Sequence, residues 1–181
     1  GKLTTCRSLA ESAAGEVLAT LGWPVRGSSR ERPLPGACVG ESRVAAFRAT
    51  EARVRETGCG GVDPAAVADR LVTLFGSRAT AAVAPLAARP GLVRGSVVPR
   101  AAVEFCVREE WARTLDDVVE RRLMLAFDKG LCRDTLVDVA AGLADLGLVP
   151  QADVEREADA AAARLWRRYG RRIPGTQEES A

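Results

Sequence analysis

The chain has 181 residues, of which 47% are hydrophobic, 28% charged and 4% aromatic, a composition typical of globular proteins. Its abundant alanine favours helix and argues against an all-β fold. The formal net charge of +2 supplies no long-range field for nucleic acid or an anionic membrane, so we expect no nucleic-acid partner.

The chain contains no histidine. This excludes the commonest general base, the commonest zinc ligand and the Ser-His and Cys-His nucleophile pairs. The five cysteines stand 21 or more residues apart, without a Cys-x-x-Cys pair. Their spacing and odd number favour free thiols in a reducing compartment over disulfides, and we expect no metal site.

The first predicted helix spans residues 5–21 and carries an apolar residue at every fourth position: Leu9, Ala13, Val17 and Leu21. Thr4 or Thr5 would cap this helix, and Gly22 would end it. Residues 1–22 are therefore one predicted segment. Residues 23–40 are rich in Gly, Pro, Ser and Arg, which predicts a surface connector.

Helical apolar spacing then continues over residues 41–170, which we interpret as one helical domain. The predicted helices span residues 41–57, 64–75, 78–88, 100–111, 114–127, 134–146 and 150–169. Asp63 before Pro64 is typical of a helix start, and Thr114 with Asp117 predicts a second capped start. Residues 91–98 leave room for a short strand, and residues 171–181 are too polar to bury, which predicts a disordered tail.

The fold class is therefore all-α, a helical bundle of about six to eight helices. Large side chains are few, so we expect them to dominate its core. Truncation of Phe127 to alanine should then cost about 3–5 kcal/mol. The side chains expected in the core are Phe105, Trp111, Leu123, Phe127 and Trp166.

Four segments are candidates for chemistry. Residues 1–5, Gly-Lys-Leu-Thr-Thr, approach a helix N-terminus, which favours negative charge on a ligand but is also the pattern of any capped helix. The charged run 108–122 is either an acid–base site or, the interpretation we favour, an ion-pair lattice with a helix cap. The glycines around Cys59 lack the lysine and strand of a phosphate loop and predict a turn. The arginines at 167, 168, 171 and 172 are either a headgroup contact or, the interpretation we favour, a solvated helix end.

Two of these segments, in this order, resemble the carboxy-terminal part of the FAD-dependent, quinone-linked glycerol-3-phosphate dehydrogenases. Residues 1–7, GKLTTCR, are similar to the Gly-Gly-Lys-Leu-Thr-Thr-Tyr-Arg motif that ends the flavin domain of that family. Residues 107–122, VREEWARTLDDVVERR, are similar to a stretch of its helical C-terminal domain. Phe75-Gly76 and the loop residues 34–36 match smaller features. Cys6 replaces a tyrosine and Leu123 a threonine, which leaves open a paralogue with an altered substrate.

The resemblance implies an enzyme that oxidises sn-glycerol 3-phosphate to dihydroxyacetone phosphate, with FAD as cofactor and a membrane quinone as electron acceptor. It places Lys2 at the substrate phosphate. It places the backbone of the flanking residues at the flavin: Gly1, Leu3, Thr4 and Thr5. Residues 1–22 would then be the terminal motif and last helix of an α/β FAD-binding domain, whose preceding part is an expected partner. The resemblance assigns no catalytic residue to this chain.

The nucleotide fingerprint GxGxxG, which must follow a strand and open a helix, is absent from the 181 residues. We therefore expect a fragment that is colourless and inactive by itself. The implied location is the cytoplasm, or the inner face of the cytoplasmic membrane as a peripheral protein, and a homodimer is left open. The alternative hypothesis is a stand-alone helical interaction or dimerisation module without catalysis.

Overall fold

The computed structural model describes residues 5–24, 28–30, 32–83 and 90–176. These residues are mostly helical and form no strand, only an isolated antiparallel bridge between Leu92 and Pro99. The predicted all-α fold is confirmed. The short strand considered for residues 91–98 does not form, and this segment contributes only the bridge. The chain divides into two compact units, Gly1–Ala37 and Cys38–Ala181.

The first unit contains helix α1, Cys6–Thr20. Gly22 follows it with a φ of 69°, a left-handed conformation that glycine adopts at little cost, so the predicted stop is confirmed. The Trp23 N–H then donates to the Leu18 carbonyl at 2.8 Å and turns the chain away from the helix. The predicted start is displaced by one residue, and the Thr5 side chain does not provide the helix cap.

The second unit opens with the paired helices α2, Glu41–Thr57, and α3, Pro64–Phe75, which have the predicted bounds. Asp63 caps α3 as predicted, since its Oδ1 accepts a hydrogen bond from the Ala65 N–H at 3.0 Å. A 3₁₀ helix, Gly76–Ala82, follows where an α-helix over 78–88 was predicted. Residues 84–89 of that prediction lie outside the described residues.

Helix α4, Ala101–Glu109, lies in the core, and every residue from Ala101 to Val107 is buried. The Phe105 ring meets Phe75 edge-on with the ring centroids 5.0 Å apart, so α4 packs against the end of α3. Helix α4 also contacts the helix Arg133–Asp145, the 3₁₀ helix Gly76–Ala82 and the segment Asp117–Arg122, which places it in the interior of this unit.

The helix predicted over residues 114–127 is interrupted. A π-helical segment, Asp117–Arg122, is followed by a 3₁₀ turn, Leu125–Phe127, with Met124 in a left-handed conformation between them. Leu123 and Leu125 are both fully buried. On an α-helix these two side chains would lie about 200° apart, so the break lets both point into the core.

Helices α5, Arg133–Asp145, and α6, Val154–Tyr169, form a second packed pair, with a 3₁₀ turn, Gln151–Asp153, before α6. The tail differs from the prediction of disorder over residues 171–176. Ile173 is buried there, and the Arg133 N–H donates to the Pro174 carbonyl at 2.8 Å. Burial of Ile173 and this backbone hydrogen bond thus help to hold a segment whose composition is polar. Residues 177–181 lie outside the described residues.

The predicted core is only partly correct. Phe105 and Leu123 are buried, but Trp111, Phe127 and Trp166 are wrong, with 79%, 52% and 49% of their surface exposed. Trp111 follows α4 in a left-handed conformation that turns its side chain outward. Leucine, valine and alanine side chains, rather than these aromatic rings, fill the core.

Candidate functional site

The start of α1 is the described part of the proposed flavin and substrate motif. Gly1, Lys2, Leu3 and Thr4 lie outside the described residues, so their predicted roles remain predictions. Thr5 is exposed and occupies the position before the first helical turn. No acidic side chain lies in that turn, so no negative charge of the helix itself offsets the positive end of its dipole.

Helix α1 has two faces of different character. One side of the helix is half-buried at Arg7, Glu11, Gly15 and Leu18, and Arg7 and Glu11 on this side contact Ser29 of the following segment. The other side carries Leu9, Val17 and Leu21, each more than half exposed, and no residue of α1 is fully buried. An apolar helical face of this kind is typical of a helix that packs against a further layer of protein.

The charged run in residues 108–122 forms ion pairs between elements. Arg78, in the 3₁₀ helix after α3, donates to Glu110 at 2.6 Å and to Glu109 at 2.9 Å. Arg164 of α6 donates to Asp116 at 2.9 Å. These pairs connect three elements of the second unit, so the favoured interpretation, an ion-pair lattice, is confirmed.

The predicted cap at Thr114 and Asp117 is also confirmed. The Thr114 hydroxyl accepts a hydrogen bond from the Asp117 N–H, and the Asp117 carboxylate accepts one from the Thr114 N–H, both at 3.1 Å. Partial burial acts to raise the pKa of Asp117, but hydrogen bonds from the N–H groups of Arg113 and Thr114 outweigh it and lower that pKa. The ionised carboxylate therefore serves the helix start, not proton transfer.

Glu120 is a buried carboxylate, 7% exposed, within the π-helical segment. It accepts hydrogen bonds from Arg168 Nη1 at 2.5 Å and from the Tyr169 hydroxyl at 2.8 Å. Its negative charge raises the pKa of Tyr169, mainly through that hydrogen bond. Both carboxylate oxygens are thus engaged, which makes Glu120 an anchor for the end of α6.

The arginines after position 166 make several contacts inside the chain. Besides the Arg168 pair, Arg171 donates to the Asp128 carbonyl, and the Arg172 guanidinium lies 5.4 Å from the centre of the Trp166 ring. These contacts hold the end of α6 and the following segment in place. We favoured a solvated helix end for these arginines, but Arg168, Arg171 and Arg172 also make contacts within the chain.

The cysteines are free thiols. The glycine-flanked Cys59 lies in a turn as predicted, and its Sγ donates to the Val62 carbonyl at 2.7 Å. Within the described ranges, no group of three or more Cys, Asp and Glu side chains is arranged to hold a metal ion. Among the described helices, none combines the length and hydropathy needed to cross a membrane.

The second unit, Cys38–Ala181, is an all-α domain with ion pairs between its elements, and it follows the unit that contains α1. Residues 28–148 match the family model described as the C-terminal domain of alpha-glycerophosphate oxidase, and the chain belongs to that family, a domain of FAD-linked oxidoreductases. The match includes α2 to α5, whereas α1 precedes it and α6 follows it. No curated protein and no solved structure matches the chain.

Of the flavin site that the family implies, the described residues contain only the helix start at Thr5 and Cys6. A helix start with an uncompensated dipole suits the electron-rich pyrimidine edge of the flavin ring. The sequence lacks the glycine fingerprint that would hold the nucleotide. A domain outside these residues would therefore have to bind most of the cofactor.

Proposed function

We propose that the chain is the carboxy-terminal part of an FAD-dependent glycerol-3-phosphate dehydrogenase. Its reaction is the oxidation of sn-glycerol 3-phosphate to dihydroxyacetone phosphate, with electrons passed through FAD to a membrane quinone. The family match over residues 28–148 carries the proposal, because it joins this chain to flavin enzymes of glycerophosphate. The uncovered apolar face of α1 supports it as the surface that would pack on the flavin domain.

In this function the short motif before α1 does the binding. Lys2 pairs with the substrate phosphate as a point charge. The backbone of Gly1, Leu3, Thr4 and Thr5 approaches the flavin's pyrimidine edge, where N–H groups at a helix start stabilise negative charge. When bound, FAD accepts the hydride from C2 of the substrate. The resemblance assigns no catalytic residue to this chain, so in this proposal a base outside it takes the hydroxyl proton.

The helical C-terminal domain then has a packing role. In the charged run, Glu110 and Asp116 are paired with arginines and Asp117 caps a helix start, so these carboxylates stabilise the domain. The proposed location is the cytoplasm, and reduction of a membrane quinone would require the full enzyme to contact the inner face of the cytoplasmic membrane as a peripheral protein. These locations and partners are part of the proposal.

The experiment compares the two lysines of the chain in the full-length protein that carries it. We expect a flavin absorption band and quinone reduction that depends on sn-glycerol 3-phosphate. Lys2→Met should lower kcat/KM about 10- to 100-fold, the loss expected for one charge-assisted hydrogen bond. The matched control Lys129→Met, at an exposed position in the second unit, should leave kcat/KM unchanged. A protein without flavin, or equal effects of both variants, would contradict the proposal.

A second function, a helical interaction module, is favoured by one observation. Phe127 and Tyr169 meet edge-on with centroids 5.5 Å apart, and both are about half exposed, as is Trp166 one turn before Tyr169. Exposed aromatic clusters are typical of protein interfaces. If this function is correct, the 181-residue chain should self-associate in sedimentation experiments and Phe127→Ser should abolish the association. A concentration-independent monomer would exclude it.

A further inference from the structure

A turn of the connector is bound to the first two turns of α1. The Arg32 N–H donates to the Ser29 carbonyl at 3.1 Å and closes the turn. Arg7 Nε donates to the Ser29 hydroxyl at 3.2 Å, and a second nitrogen of the same guanidinium donates to the Arg32 carbonyl. Glu11 accepts from the Ser29 N–H at 3.3 Å and from the Ser29 hydroxyl at 3.0 Å.

Ser29 uses all its polar groups in this contact. Its hydroxyl donates to a carboxylate and accepts from a guanidinium, its N–H donates to the same carboxylate, and its carbonyl closes the turn. The hydrogen bond from the Ser29 hydroxyl, followed by the one from its N–H, lowers the pKa of Glu11. Glu11 is therefore ionised at neutral pH, as a charged hydrogen-bond acceptor must be.

The contact also determines the path of the connector. The chain leaves α1 at Gly22, yet Ser29 lies beside Arg7 and Glu11, near the other end of the helix. The described residues 28–30 of the connector therefore lie near the beginning of α1. This contact lies on the half-buried face of α1, whereas Leu9, Val17 and Leu21 on the apolar face are each more than half exposed. Arg7 is also the arginine of the GKLTTCR motif.

We propose that Arg7 and Glu11 are positioning residues that clamp Ser29 and so hold the start of α1 in its helical form. Helix ends fray unless side chains or tertiary contacts hold them. The clamp connects both opening turns of α1 to a segment about 20 residues further along the chain. It acts through residues 1–5, to which the proposed function assigns substrate and flavin contacts, and in this respect it rests on that function.

The test uses the full-length enzyme that carries this chain, with the variants Ser29→Ala, Ser29→Thr and Glu11→Gln. Loss of a hydrogen bond to a charged group should raise amide hydrogen exchange about tenfold in residues 9–12, whose N–H groups are the first with acceptors inside α1, for Ser29→Ala and Glu11→Gln. Ser29→Thr keeps the hydroxyl and should restore the protection. The matched control is Glu16→Gln, an exposed carboxylate on the same helix.

The kinetic readout separates positioning from simple stability. We expect Ser29→Ala and Glu11→Gln to raise KM for sn-glycerol 3-phosphate about tenfold, with a smaller change in kcat and in the melting midpoint. Unchanged exchange overturns the clamp. Raised exchange with unchanged KM overturns its positioning role. A wild-type enzyme that does not oxidise sn-glycerol 3-phosphate overturns the proposed function and the positioning role with it, whereas the exchange data still decide whether the clamp exists.

Discussion

The backbones of Gly95 and Gly130 pack directly against each other: a Cβ placed on Gly130 would lie 2.2 Å from the Gly95 carbonyl oxygen. The Thr135 hydroxyl donates to the neighbouring Arg94 carbonyl at 2.8 Å and holds the loop in that position. This contact joins the loop before α4 to the turn before α5. Neither glycine can be replaced without movement of backbone, which is far less adaptable than a side chain.

Gly130→Ala should therefore lower the free energy of unfolding by about 1–3 kcal/mol, the usual cost of overpacking. Chemical denaturation monitored by circular dichroism measures it. The control is Gly15→Ala within α1, where an added Cβ meets nothing within 4 Å and alanine favours the helix by roughly 0.5–1 kcal/mol. Equal stability of the two variants would show that the Gly95 contact is not close.

Phe105 and Phe127 were both predicted to lie in the core, but only Phe105 is buried, so their truncation should have different effects on stability. Phe105 is 6% exposed and lies between Phe75 and the Arg78 guanidinium, whereas Phe127 is half exposed. Phe105→Ala should cost about 3–5 kcal/mol and Phe127→Ala much less, because a cavity forms only at a buried site. Thermal melts of both variants decide, and a larger loss for Phe127 would contradict the structure.

The sequence predicted helices well where caps and breakers mark them. Asp63 and Pro64 gave the start of α3, and Gly22 the end of α1. The break at Met124 was not predicted, because the helical spacing of apolar residues does not show that the side chains of Leu123 and Leu125 are both buried. The prediction for Trp111 was wrong for a related reason. Helical spacing continued past the point where a left-handed residue ends α4.

Prediction of the candidate site had a different limit. The ion-pair lattice follows from alternating charges on successive helices, so its existence could be predicted, although its partners in α6 could not. The clamp was missed. Arg7 and Glu11 have the spacing of an ordinary helical pair, and nothing in the local pattern indicates that Ser29, 18 residues beyond Glu11, lies between them.

The pair of Arg133 and Asp159 should make stability depend on acid pH. Arg133 Nε donates to Asp159 at 2.7 Å, and this hydrogen bond lowers the pKa of Asp159 despite the opposing effect of partial burial. A carboxyl whose pKa is lowered by folding stabilises the native state above its unfolded pKa of about 3.9 and loses that effect as pH falls through the folded value.

The measurement compares melting midpoints of wild type and Asp159→Asn between pH 7 and pH 2.5. Wild type should be slightly more stable at pH 7, since the carboxylate is half exposed, and the difference should decrease as pH falls below the unfolded pKa of about 3.9. The matched control is Asp69→Asn, an exposed carboxylate of α3 that lies 3.6 Å from Arg43. A midpoint difference that persists unchanged at pH 2.5 would rule out the pair as its source.

The Cys106 thiol should make the free energy of unfolding fall as pH rises in the alkaline range. Burial raises the pKa of the Cys106 thiol to about 12, with a smaller contribution from Glu110. An acid whose pKa is raised by folding contributes its full stability below the unfolded pKa of about 8.5, and that contribution is lost as pH rises toward 12. Each pH unit in this window corresponds to about 1.4 kcal/mol. The free energy of unfolding of wild type should therefore fall more steeply between pH 8.5 and pH 10.5 than that of Cys106→Ala, which lacks the thiol.

Alkylation with iodoacetamide at pH 8 supplies an independent measurement on the same thiol. In the native protein the exposed Cys6 should react quickly and the buried Cys106 slowly, because the thiolate is the nucleophile and requires access. In denaturant both should react at similar rates. If Cys106 reacted as fast as Cys6 in the native state, the thiol of Cys106 would not be buried in α4. In that case its pKa would not be raised, and the free energies of unfolding of wild type and Cys106→Ala would depend on alkaline pH in the same way.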